Sequence, residues 1–283
     1  MTETLHLLHA PLGEPGSGRV RYGAAMALWR DGLISADVLE VYRIASAHDA
    51  RDPLSALREG GMPMPPLPPK NDPVRALYLA AREYLLSLDH PGAEEVRAGL
   101  PADPGPELDM PTQSNAVVDR WLSPALHTVA IDRPILSQAI QAAADHLPWV
   151  TYDAYPRAMI GEAFATDHAF ASIIGADAPF AAQDFDAGLF LIAPHVLYRD
   201  RNHAAPELYA PLTGPHGWRF GPGRPLQVKP AHIPIWNPPF QPHLTLVGSL
   251  PFLGFFVWTK DVDESAVVLP SDDWARLERM TLA

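Results

Sequence analysis

Up to about residue 150 the apolar positions recur at helical spacing; beyond it they form short, closely spaced runs cut by Gly, Pro, Asn and Asp. Between residues 22 and 47, Leu28, Leu33, Val38, Leu39, Val41, Tyr42 and Ile44 predict two helices parted at Asp31-Gly32. Ser35 is the expected N-cap of the second. Residues 74–88 predict a further helix with Leu77, Ala80, Ala81, Tyr84 and Leu85 on one face. Two more are expected at 112–126 and 133–146, the latter with Pro134 in its first turn and Ile135, Ala139, Ile140 and Ala143 as its buried stripe.

Two Pro-rich stretches interrupt this helical half. Residues 60–73, GGMPMPPLPPKNDP, can be neither helix nor central strand and read as a polyproline linker, with an SH3-type ligand as the lesser reading. Residues 101–111 form the second break. In the other half, strands are predicted at 188–192, 208–212, 216–220, 226–228, 232–236, 244–247 and 253–259. Many short strands at this spacing predict a sandwich or barrel. The expected organisation is therefore a helical region over 1–148 followed by a β domain over 149–283, without internal repeats.

Composition narrows the class. With 47% apolar and 19% charged residues in a chain of 283, a packed core is expected and a disordered chain excluded. Lys and Arg number 21 against 33 Asp and Glu, a formal charge of −12, which speaks against a nucleic-acid partner. No cysteine is present, so disulfides, thiolate ligands and a thiol nucleophile are ruled out. The N-terminal stretch MTETLHLLHAPLGEPG lacks a basic n-region, and the longest apolar run, LPFLGFFVW over 250–258, is about half a membrane span. A soluble, cytoplasmic protein without membrane attachment is expected.

Candidate chemistry gathers in YRDRNHAAPELYAPLTG, residues 198–214. It holds His203, Glu207 and Tyr209, and His243 follows in NPPFQPH. On one extended strand 203, 207 and 209 would share a face, since alternate side chains point the same way. Two imidazoles and a carboxylate on facing strands make a mixed N/O site for a divalent transition metal.

The combination resembles the cupin superfamily. His203, Glu207 and Gly214 match the second His, the Glu and the Gly of its first motif; Pro238 and His243 match the second motif. Within it, residues 186–260 look like the bacterial dimethylsulfoniopropionate (DMSP) lyases of cupin type, Q-type branch: Tyr198 five residues before His203, the run APELY, and Trp258 fifteen residues after His243. Three positions depart from the cupin pattern: Arg201 replaces the first histidine, Phe240 the second motif's glycine, and Val247 its final Asn.

The resemblance implies a cupin-type double-stranded β-helix, or jelly-roll barrel. It implies a metal, with Fe, Zn or Mn foremost, bound by His203, Glu207 and His243, with Tyr209 as a further ligand. The implied activity is a metal-dependent carbon–sulfur lyase that cleaves DMSP, or a similar β-substituted carboxylate, to acrylate and dimethyl sulfide. Tyr209 is then the favoured base and Tyr198 a gate or second base. Arg201 is positioned to clamp a substrate carboxylate, and Trp258 and Trp236 to face a sulfonium, which only ring faces and carboxylates can hold. A small carboxylate is the expected partner; a homodimer surface, a lid or packing on the barrel are the roles open to the helical half.

The alternatives are a cupin dioxygenase or isomerase acting on another small carboxylate, and a non-catalytic ligand-binding cupin. His195, His216 and His232 fall in turns or at strand ends without a carboxylate at ligand spacing, and His6 and His9 in a frayed terminus. Trp218 is an aromatic on a barrel strand, and Asp184 and Asp186 read as turn or cap residues before a strand.

Overall fold

The computed structural model describes residues 2–66, 72–152 and 155–282. Residues 67–71 of the Pro-rich stretch and the His6 side chain lie outside the described residues. The chain divides into two compact units, Met1–Asp72 and Pro73–Ala283.

The first unit contains α1 (Thr2–Leu8), α2 (Ser17–Arg30), α3 (Ala36–Ala45) and α4 (Pro53–Glu59). The break after α2 follows the sequence expectation, with Gly32 at φ 73°, a conformation that glycine adopts at little cost. Ser35 caps α3 by accepting from the Val38 amide at 3.3 Å. Leu8, Leu28, Val38, Tyr42 and Leu57 form this unit's own core.

The second unit begins with α5 (Pro73–Leu86), α6 (Ala93–Gly99), α7 (Ala116–Asp132) and α8 (Pro134–Ala143). Pro134 does open α8, but Ile135 is 77% exposed and Leu136 is buried in its place. Each residue turns a helix by about 100°, so a face centred on 136, 140 and 143 leaves Ile135 outside it. Ser137 stays on the buried side because its hydroxyl donates to the Leu126 carbonyl at 3.0 Å. The sequence boundary at 148/149 falls inside this unit, after α8 and ahead of the first strand at His168, whereas compactness divides the chain at Asp72.

After α9 (Arg157–Ile160) and α10 (Glu162–Thr166) come the strands β1 (His168–Gly175), β2 (Phe180–Ala181), β3 (Asp186–Ile192), β4 (Leu197–Asn202), β5 (Glu207–Pro211), β6 (His216–Arg219), β7 (Gln227–Lys229), β8 (Ile235–Asn237), β9 (His243–Leu246), β10 (Phe252–Trp258) and β11 (Val267–Val268). A short α11 (Trp274–Leu277) follows. They form a six-stranded sheet, β2-β1-β3-β10-β5-β8, and a five-stranded sheet, β11-β4-β9-β6-β7. This is the jelly roll expected from the sequence, two facing sheets with a shared interior.

The six-stranded sheet is buried on both faces. Ala187, Leu189 and Leu191 of β3, Leu208 and Ala210 of β5, and Leu253, Phe255 and Val257 of β10 pack against α5, α7 and α8. Residues of the opposite parity, Phe190, Tyr209, Phe252 and Phe256, meet Trp218 and Val247 inside the jelly roll. Burial on both faces explains why β10 reads as an unbroken apolar run rather than as an alternation.

Two longer strands escape the apolar pattern. In β1 the run is diluted by alanines and a serine. In β4, LYRDRN, the buried Asp200 pairs with Arg219 and accepts from the Trp274 indole at 2.8 Å. The strand expected at 232–236 starts later, at Ile235, because His232 takes a left-handed φ of 64°.

Candidate metal centre and active site

The shared face that His203, Glu207 and Tyr209 would have on one extended strand does not arise, because His203 is not on the strand of the other two. The chain leaves the five-stranded sheet after Asn202 and enters the six-stranded sheet at Glu207. His203 stands on that crossing, as Ala204 to Pro206 turn the corner. Glu207 and Tyr209 point inward by the parity of β5, and His243 opens β9 opposite Arg201. The candidate donors thus come from both sheets and from the link between them. Gly214, the other residue of the motif, sits so close to the Ala231 backbone that a Cβ would lie 2.5 Å from its nitrogen.

His203, Glu207 and His243 are all buried, and their ligand atoms lie within 4.8 Å of one another. Glu207 Oε2 is 3.1 Å from His203 Nε2 and 3.2 Å from His243 Nε2. The other ring nitrogens are committed: Nδ1 of His203 lies 2.8 Å from the Ala205 carbonyl and Nδ1 of His243 lies 2.9 Å from the Gln241 carbonyl. A carbonyl only accepts, so each Nδ1 carries the proton and each Nε2 turns a lone pair toward the carboxylate. Nε2 of His243 is buried without an aligned hydrogen-bond partner. Lone pairs converging on a carboxylate oxygen repel unless a proton or cation intervenes, so these residues fit a divalent metal.

Electrostatics agree with the donor set. Burial opposes charge on Glu207, but its contacts with the rings of His203 and His243 outweigh it and hold the carboxyl well below its usual range. Burial, followed by the charge of Arg201, pushes His243 down to about 4, so its imidazole is neutral at neutral pH. Glu207 Oε1 accepts from the Trp258 indole at 2.8 Å, which leaves Oε2 for the histidine pair. The Trp258 ring also stacks on His203 at 4.5 Å.

A cavity beside this cluster is lined by Tyr198, Arg201, Tyr209 and Trp258 together with His203 and Glu207. Arg201 is 2% exposed, donates to the Tyr209 hydroxyl at 2.8 Å and lies 3.2 Å above the centre of the Tyr198 ring. Tyr198 stacks on Phe164 on its other face, at 3.8 Å. Among the described residues no carboxylate lies within 4.0 Å of the Arg201 guanidinium. Such a cation is an anion site in waiting. Burial pushes the phenol of Tyr198 up to about 12 and that of Tyr209 well above 10, with Arg201 pulling both back.

Trp236 is not brought to the cavity. It pairs with Leu208, whose parity faces the helices, and its ring packs 5.6 Å from that of His90. Trp218 is a core aromatic against Tyr209, and His216 is a core residue held by Thr213 and the Gly248 amide. Asp184 is the turn residue expected, at φ 52° with the Val262 amide on its carboxylate. Phe240 holds the left-handed φ of 59° that suits the glycine it replaces.

Asp186 is corrected: it opens β3 and lines the cavity, as do Tyr152, Phe170, Phe190 and Phe256. The signal was a lone acid at the parity of Phe190, the interior side of an otherwise apolar strand. Burial, against a hydrogen bond from Ser172 and aided by Asp177, raises its pKa from 3.8 to about 6. The folded state therefore holds this proton more tightly than the unfolded one, and stability falls as pH rises through that window. The full shift is worth up to about 3 kcal/mol at 1.36 kcal/mol per unit. Ligand-free Asp186→Asn is expected to melt above the parent protein at pH 8, with the gap narrowing below pH 6 and closing toward pH 4, as differential scanning calorimetry would show. A gap independent of pH would remove the buried charge as its cause.

The family model for dimethylsulfoniopropionate lyase matches residues 96–254. A chain from the crystal structures of the DMSP lyases RdDddP and RnDddQII superposes with a TM-score of 0.54 at 19% identity, covering 70% of this chain and 98% of that one. The DMSP lyase DddQ from Ruegeria pomeroyi DSS-3 gives 0.51 at 23% identity, covering 70% and 97%. No curated protein matches the chain. Among the described residues no helix is long and apolar enough to cross a membrane. With more than half of its length under the family model, this chain belongs to the DMSP lyase family.

Proposed function

We infer that the protein is a metal-dependent lyase that splits DMSP into acrylate and dimethyl sulfide by β-elimination. The observation that carries this reading is the buried His203–Glu207–His243 donor set opening on a cavity that also presents Tyr209 and an uncompensated Arg201. His203, Glu207 and His243 would hold the metal. A divalent cation there would neutralise charge developing on the substrate carboxylate and favour the Tyr209 phenolate.

The chain's own groups supply the rest. Arg201 offers the second counter-charge for the carboxylate and fixes the Tyr209 oxygen by its 2.8 Å hydrogen bond. Tyr209 Oη takes the proton from the carbon next to the carboxylate. The electrons of that C–H bond form the new double bond, the C–S bond breaks, and dimethyl sulfide departs neutral. Phe190, Phe256 and Trp258 line the cavity and keep bulk water from the carbanionic centre. Tyr198, clasped between Phe164 and Arg201, orients the guanidinium.

The test is direct. Protein loaded with Fe(II) or Mn(II) and given DMSP is expected to release dimethyl sulfide into the headspace, with chelator abolishing it. Bound metal without release would move the substrate to another small carboxylate.

A further inference from the structure

Two carboxylates line the active-site cavity, and they differ in what they are already doing. Glu207 is committed: Trp258 holds one oxygen, and the two histidines and Asn237 surround the other. Asp186 is not. Ser172 gives it a hydrogen bond, but no basic side chain among the described residues pairs with it, and its Oδ1 is buried without a hydrogen-bond partner. The strand register puts it in the same row as the metal cluster, because Trp258 pairs with Glu207 on one side and with Asp186 on the other. Strands lie about 4.8 Å apart, so two such spacings, with Trp258 between them, separate the candidate metal ligand Glu207 from Asp186.

The wall around Asp186 is aromatic. Tyr152 stacks on Phe170 at 4.4 Å, Phe170 meets Phe256 edge to face at 6.2 Å, and both line the cavity with Trp258. On its other side Asp186 borders a groove of about 590 Å³ that also carries Asp177 and Asp263. Arg201, the cavity's uncompensated cation, comes from the opposite sheet. The cavity therefore has a cationic wall and an anionic, ring-lined wall, which is the charge pattern of a zwitterion.

We propose that Asp186 is the specificity-determining residue for the cationic end of the substrate, holding an onium group against Trp258, Tyr152 and Phe170 while Arg201 and the metal cluster take the carboxylate. This rests on the lyase reading above and deepens it: Asp186 is the residue that separates an onium carboxylate from a carboxylate of the same shape whose far end is uncharged. An onium centre bearing only alkyl groups offers no hydrogen to donate, so charge and ring faces are its means of recognition. An ionised acid buried without a basic partner gains more from such a cation than a solvated one would. The acids of the outer groove favour approach of the same charge.

The test compares binding of an unreactive isosteric pair to the full-length, metal-loaded protein by calorimetry. The pair is 3-(trimethylammonio)propionate and its neutral carbon analogue, 4,4-dimethylpentanoate. The parent protein is expected to favour the cation by about 10- to 100-fold, and Asp186→Asn to bring the ratio near one while binding of the neutral acid changes little. Asp186→Glu should restore part of the preference. Asp186→Ser serves as a second neutral variant if the Asn protein does not fold. An unchanged ratio in a folded neutral variant overturns the assignment and leaves the lyase reading intact. Absence of binding by either acid to the parent overturns both.

Discussion

Glu207→Ala is expected to strip the protein of its metal while leaving the fold in place. Glu207 is the one anionic donor of the cluster, with Oε2 3.1 Å and 3.2 Å from the two Nε2 atoms. Its loss leaves two imidazoles facing the guanidinium of Arg201, and a divalent cation in that setting loses its charge compensation. Loss of a mere outer partner of a metal ligand typically costs 10- to 100-fold in affinity. Loss of this donor should therefore cost at least about 100-fold, and dimethyl sulfide release should fall with it. The jelly roll survives because its sheets are held by the two apolar clusters rather than by the site. Metal content after dialysis, with circular dichroism beside it, reads the outcome. Stoichiometric metal in a folded alanine variant would show that these residues are not the ligands.

Tyr209→Phe separates chemistry from metal binding. The hydroxyl is the atom proposed to take the proton, and general-base catalysis by a positioned side chain is worth about 10²- to 10⁴-fold. A fall of that size in kcat is expected, with metal content unchanged, because His203, Glu207 and His243 remain. The ring keeps its packing against Phe190 and Trp218, so folding is not at stake. Arg201 loses its 2.8 Å partner but keeps Tyr198 beneath it, so KM should change less than kcat. Turnover within tenfold of the parent would transfer the base role to Tyr198, and Tyr198→Phe would then carry the loss.

The two tyrosines show where sequence spacing ends. Tyr198 stands five residues before His203 and Tyr209 two after Glu207, offsets that the resemblance singles out, and both line the cavity. Their difference, one ring clasped between Phe164 and a guanidinium and one hydroxyl bonded to it, comes from strands of opposite sheets. Spacing along a chain cannot express it.

The motif residues His203, Glu207, Gly214 and His243, the helical first half and the strand-rich second half were legible in the sequence, because local periodicity and fixed spacings survive without tertiary context. So was Trp258, through its offset from His243. What escaped depends on which side of a strand faces which layer. Trp236 went to the helices and Asp186 to the cavity because register and parity assigned them there. β4 was invisible because it buries Asp200 and Arg201, the former compensated by Arg219 and Trp274, partners distant in sequence. His203 shares no strand with Glu207, yet the corner between the sheets delivers both to one centre. The sequence by itself determined the candidate donors and the classes of local structure. The tertiary structure alone decided their convergence and the two-signed cavity beside them, since side chains from separate strands acquire a common environment only when the sheets close over them.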